Sequence, residues 1–166
     1  MRALVYTESR DLVVREVDAP VAGAGEVVVR VDAAGICASD VHALRSRSER
    51  RTPPLIMGHE LTGEVVEVAD REAPDLLGAR VAVNPQVTCG DCWWCRSGAE
   101  NICCRRELIG GTRPGGFAEL VAVPRRCLHR LADGTDAATA VFAEPLATCL
   151  HGLALAPDRF AATAVA

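Results

Sequence analysis

A chain of 166 residues is long enough for one domain with a real hydrophobic core and short for two. Hydrophobic residues at 49%, charged residues at 24% and a formal charge of −4, with acids and bases mixed along the chain, are ordinary for a soluble globular protein and point away from a nucleic-acid partner. No stretch approaches the roughly 18 apolar residues a membrane span needs, and residues 1–6 lack a signal peptide's basic and apolar regions, so the expected compartment is cytoplasmic and the eight cysteines read as metal ligands or buried thiols rather than disulfides.

In chain order, the first third reads as β structure. Residues 3–6, 12–17 and 26–31 are short runs rich in Val and Leu, punctuated by Pro20, Gly23 and Gly25. The cluster Arg45, Arg47, Arg50 and Arg51 has no interleaved aromatics and reads as a solvated loop. Residues 61–68 and 79–83 give two more strands, separated by the polar segment 70–75, and 117–123 and 127–131 a further pair. Many short strands with Gly and Pro turns predict a mainly β domain, barrel-like or sandwich-like. From Asp136 the chain turns rich in Ala and Leu. Pro145 suits a first helical turn, and Leu146, Cys149, Leu150 and Leu153 recur at helical spacing, which predicts an amphipathic helix over 145–155. Residues 161–166 form an apolar run that reads as the start of a strand.

The strongest local motif is Cys89-Gly90-Asp91-Cys92-Trp93-Trp94-Cys95, followed by Cys103. Two cysteines separated by two residues can point both thiolates at one ion, and two more complete a tetrahedral four-sulfur site. Soft thiolates favour zinc or an iron–sulfur cluster over magnesium or calcium. Such a closed site staples a loop that has few aliphatic residues of its own. Cys104 directly follows Cys103 and is its rival in register; spacing favours Cys103.

A second set, Cys37, His59, Glu60 and Glu144, is scattered, and spacing alone does not join it. Singly, each has an ordinary reading: a buried thiol, a satisfied histidine, acids at the ends of elements. The surrounding residues carry more. Ile36-Cys37-x-Ser39-Asp40-x-His42, Gly58-His59-Glu60-Leu61-x-Gly63-x-Val65, Gly78-x-Arg80-Val81, Gly116-Phe117-Ala118-Glu119 and Glu144-Pro145-Leu146, with the cysteine loop and its Gly98 and Asn101, resemble in order the motifs of the zinc-dependent medium-chain alcohol and polyol dehydrogenases. The likeness runs from Met1 to about residue 155, and a glutamate at 144 resembles the sorbitol and threonine dehydrogenase branch. Ala38 departs from a common glycine.

The resemblance implies a GroES-like β barrel over 1–155, with a structural zinc lobe at 88–105 held by Cys89, Cys92, Cys95 and Cys103. It implies a catalytic zinc on Cys37, His59 and Glu144 with Glu60 adjacent, hence two zincs per chain, and a proton relay through Ser39 and His42. His42 also reads simply as an exposed helix residue, while His129, His151, Cys127 and Cys149 have no motif support. The implied chemistry is oxidation of a small secondary alcohol, of polyol, sugar or amino-acid type, with NAD or NADP. No Gly-x-Gly-x-x-Gly follows a strand, so residues 156–166 are expected to open a truncated nucleotide-binding domain, and the chain alone is expected to be inactive. A homo-oligomer is left open. The competing readings are a zinc-binding module without redox activity and a zinc-assisted hydrolase or lyase.

Overall fold

The computed structural model describes residues 1–46, 51–69 and 73–155. In chain order the elements are β1 (Arg2–Tyr6), β2 (Leu12–Glu16), β3 (Glu26–Gly35), α1 (Ala38–Ser46), β4 (Leu55–Ile56), β5 (Glu60–Val68), β6 (Arg80–Val83), β7 (Gln86–Val87), α2 (Trp93–Arg96), β8 (Glu107–Leu108), β9 (Leu120–Pro124), β10 (Leu128–Arg130), α3 (Ala137–Ala140) and α4 (Ala143–Leu155). Arg47, Arg50, part of the polar segment 70–75 and the apolar run 161–166 lie outside the described residues.

The main sheet has the order β10-β6-β5-β3-β9, antiparallel throughout. Its longest strand is β3, whose Val27, Val28 and Val29 are β-branched side chains suited to a buried pleated surface. The strand runs four residues beyond the expected 26–31. Two register shifts against β5, at Val28/Val29 and Val31/Ala33, bend it as it passes between β5 and β9. Gly63 sits opposite Val31 at the second shift, where a Cβ would meet Arg30 O at 2.0 Å; only a residue without a side chain lets the two backbones approach there. Val27, Val29, Leu61, Val65, Val81 and Val123 meet in one core, each full burial contributing about 1.5–3 kcal/mol.

A smaller sheet, β2-β1-β4, closes one side and carries its own cluster of Tyr6, Leu55 and Met57, with Phe117 against it. The two sheets are tied through Leu4 N–H to Phe117 O, at 2.8 Å, and the Ala3–Ala118 bridge. Phe117 belongs to this tie, which is why β9 opens only at Leu120 rather than at the expected 117. Residues 115–117 also brace the stretch before His59: Gly115 N–H donates to Ile56 O, Gly116 N–H to Gly58 O and Phe117 N–H to Met57 O, at 2.8–2.9 Å. Gly58 has φ +93°, and a Cβ there would strike the Phe117 ring at 2.5 Å, so this turn also demands glycine.

Two sequence expectations need correction. Arg51, taken as part of a solvated basic loop, is buried, because Asp40 on α1 pairs with it. The segment Ala137–Leu155, 19 residues with a mean hydropathy of 1.3, is long and apolar enough to cross a bilayer, contrary to the expectation that no stretch comes close. It divides into α3 and α4, and Glu144 and Pro145 stand in the first turn of α4, which starts two residues before the expected 145. No residue of α4 is buried; Leu146, Leu150 and Leu153 are 47–57% exposed along one face.

Candidate metal centres

Residues 88–105 make a lobe with little regular structure: one turn of helix, α2, and a 3-10 turn at Glu100–Ile102. Its four sulfurs converge. Cys89–Cys95 is 3.8 Å, Cys92–Cys95 3.5 Å, Cys92–Cys103 3.9 Å and Cys89–Cys103 3.5 Å between Sγ atoms. Thiolates about 2.3 Å from a zinc stand at tetrahedron edges of about 3.8 Å, so this donor set fits such an ion without rearrangement. Backbone N–H groups aim at the sulfurs as well: Cys95 N–H at Cys92 and Cys89 N–H at Cys103, each at 3.5 Å. The first of these helps draw Cys92 down to about 6, whereas burial and then the neighbouring sulfurs push Cys95 up to about 12. Cys104 is exposed and stands outside the cluster.

The second group comes from two stretches of chain. Cys37 lies between β3 and α1, His59 follows the Gly58 turn, and Glu60 begins β5. One ligand atom from each lies within 4.8 Å of the others. Donors at 2.0–2.3 Å from one tetrahedral ion stand about 3.3–3.8 Å apart, so the three are gathered closely enough to draw in around a shared ion. His59 is buried, and its Nδ1 has no hydrogen-bond partner. Asp40 Oδ1 stands 3.6 Å from that nitrogen, too long for a hydrogen bond but close for a charge. The carboxylate pushes His59 up to about 9 against the opposing effect of burial. Burial would raise Asp40 itself, but His59 and Arg51 outweigh it and hold the carboxyl below its ordinary value. A carboxylate behind a ligand histidine orients the ring and raises its basicity, and a metal binding here must displace the imidazole proton.

The other expected residues fall as follows. Ser39 is exposed at the start of α1; its N–H points at Cys37 Sγ, at 3.5 Å, and its Oγ accepts from Arg51 Nη2, at 3.0 Å. His42, three positions on, shares its face of the helix and is exposed. Glu144 is not in the Cys37–His59–Glu60 group. It rides on α4, which presses no residue into the core, and lines a cavity of about 610 Å³ with Ala82, Asn84, His129 and His151, its Oε1 accepting from Thr148 Oγ1 at 3.4 Å. Sequence reasoning missed Asp40 and Arg51. Asp40 left one local sign: it follows Cys37 by three residues and its Oδ2 accepts the Cys37 N–H, at 3.1 Å, as a third-position acid does at a helix start. Arg51 left none.

Residues 23–133 match the family described as the alcohol dehydrogenase GroES-like domain. The chain is 34% identical over 162 residues to an L-galactonate-5-dehydrogenase of Escherichia coli K12, covering 96% of this chain and 47% of that protein. Among solved structures it resembles a short chain alcohol dehydrogenase from E. coli CFT073 complexed with NADH (32% identity, TM-score 0.87, 93% of this chain and 45% of that one). It also resembles a putative zinc-binding dehydrogenase from Sinorhizobium meliloti 1021 bound to NADP (39% identity, TM-score 0.84, the same coverage). The chain thus spans about half the length of the relatives it matches.

Proposed function

This chain belongs to the alcohol dehydrogenase GroES-like domain family, and from that premise we propose that residues 1–155 are the catalytic domain of a zinc-dependent dehydrogenase acting on a small secondary alcohol of polyol, sugar or amino-acid type. The observation that carries it is the convergence of Cys37 with His59 and Glu60, from two stretches of chain far apart in sequence, with a buried carboxylate behind the histidine. The four-cysteine lobe holds one zinc and keeps its loop folded; Cys37, His59 and Glu60 hold the second. Zinc at the second position would supply Lewis-acid polarisation of the alcohol oxygen, making its deprotonation feasible near neutral pH.

The chain's own residues do the rest. Cys37 and Glu60 bring negative charge and His59 a neutral donor, leaving room on the exposed side for a ligand. The Ser39 hydroxyl, two residues from Cys37 at the helix start, takes the alcohol's proton, and His42, exposed on the same helix face, passes it to solvent. The hydride acceptor is NAD or NADP, bound by a nucleotide-binding domain following residue 155; without it no turnover is expected of residues 1–155.

Metal analysis of the purified chain tests this. Two zincs per chain are expected, falling to one in His59→Ala and in Cys37→Ser with the four-sulfur ion retained. One zinc in the unaltered chain, or loss of both together in either variant, refutes the two-centre reading. Glu144→Ala decides whether that residue adds a ligand: loss of the second zinc places it there, and full retention removes it from the set. Two zincs with no nicotinamide-linked activity even when a nucleotide-binding domain is supplied would leave a zinc-binding module instead.

A further inference from the structure

A guanidinium is permanently charged, has five donors and no acceptor, and is buried at a high cost unless its donors are met by an anion. Arg51 is 6% exposed. Its Nη1 donates to Asp40 Oδ1 and lies 3.4 Å from Met57 Sδ, and its Nη2 donates to Ser39 Oγ at 3.0 Å. Arg51 touches none of the three metal donors. Yet each group it holds is one step from one of them: Asp40 stands behind His59 and accepts the Cys37 N–H, Ser39 N–H points at Cys37 Sγ, and Met57 leads through Gly58 into His59.

We infer that Arg51 is a positioning residue for the Cys37–His59–Glu60 centre, clamping the Asp40 carboxylate behind the His59 ring and fixing the direction of the Ser39 hydroxyl. The inference rests on the metal-binding reading proposed above. Its physical basis is the cost of a buried carboxylate left without its guanidinium partner: Asp40 would turn toward solvent, and the oxygen facing His59 Nδ1 loses its place. The second arm has a separate consequence. Because a guanidinium only donates, Ser39 Oγ must accept from it, so the single hydroxyl proton is directed elsewhere. Lysine carries the charge but has no planar fork to span Asp40 and Ser39 together.

The test uses the chain as it is, with zinc affinity read by chelator competition and the ligand field read from cobalt(II) absorption. Arg51→Met is expected to weaken the second ion roughly 10–100-fold, the range for removing an outer partner of a metal ligand, and to shift the cobalt bands, while the four-sulfur ion is unchanged. In the Asp40→Asn background the same substitution is expected to cost less than about 3-fold, because a residue acting through Asp40 has nothing left to act on. Arg51→Lys, with the charge kept, is expected to recover affinity to within about 5-fold of the unaltered chain. Where Arg51→Met does not fold, Arg51→Gln carries the same cycle. Unchanged affinity in Arg51→Met, or an equal loss with and without Asp40, overturns the role given to Arg51 and leaves the two-centre reading standing. An unaltered chain that takes up only the four-sulfur ion overturns both.

Discussion

Replacing Cys103 and Cys104 separately by serine puts the sulfur cluster to a quantitative test. The two thiols are adjacent in sequence, but only Cys103 is buried among the other sulfurs, 3.5 Å from Cys89 and 3.9 Å from Cys92; Cys104 is exposed. Four thiolates at near-tetrahedral separations suit a structural zinc, for which apparent binding free energies at pH 7 are about 10–16 kcal/mol. An equal share per ligand gives about 3 kcal/mol for one thiolate, or on the order of 100-fold in affinity. Cys103→Ser is therefore expected to weaken this ion by about two orders of magnitude, and Cys104→Ser by less than about 3-fold. Chelator competition reads the affinity, and limited proteolysis reads the loop, since residues 88–105 have one helical turn and a 3-10 turn to hold them. Cuts within 88–105 should appear in Cys103→Ser alone. Equal losses in the two variants, or a Cys103→Ser chain that keeps its ion at full affinity, would show that the four sulfurs do not act as one ligand set.

Gly63→Ala drives a Cβ to 2.0 Å from Arg30 O at the bent centre of the sheet; a loss of about 3 kcal/mol, or about 6–12 °C in Tm, is expected in thermal unfolding, and an unchanged Tm would mean that β3 and β5 are not held in this register. Leu150→Lys on the uncovered face of α4 should change stability by no more than about 0.5 kcal/mol while reducing binding of an apolar dye, since that side chain is 56% exposed; a large drop in Tm would show that the face is packed in solution. The Arg2 backbone N–H, and then its exposed guanidinium, hold Glu119 below its ordinary value, so their contribution is present above the ordinary carboxylate value and lost as pH falls through the lowered one. Glu119→Gln should accordingly flatten the acid limb of stability slightly, with little difference at about 0.5 M salt, where exposed pairs are screened; a limb left as steep as before would remove the pair from the acid response.

What could be read in the sequence follows the range of the interactions. The convergence of the four sulfurs was legible because the cysteines are close along the chain and their spacing suits a shared ion. Strand positions were legible because Val and Leu runs favour extended backbone, although β3 ran on to Gly35 through two bulges that no periodicity records. Joining Cys37 to His59 and Glu60 needed family likeness, since their meeting depends on how β5 lies beside β3. Helix α1 entered only as an alternative reading of His42, and its bounds had no signal: it buries only Asp40 and Ala43, so it carries almost no apolar stripe. Arg51 was misread for a related reason. In sequence it ends a run of arginines, and the carboxylate that buries it lies eleven positions earlier on a helix whose one sequence sign is that same acid, three residues after Cys37. Glu144 shows the converse: its motif is local and clear, whereas its place in space depends on how α4 packs.

The brace from residues 115–117 onto 56–58 also bears on the order of events as the chain folds. The thiols of the lobe are separated by at most 14 positions, so that loop can close early and locally. The turn that delivers His59 is held by backbone bonds from a segment far downstream, and long-range closure of this kind is slow. Two cations taken up by one polypeptide would then mark two moments, the first a local knot in a nascent chain and the second the arrival of the completed sheet.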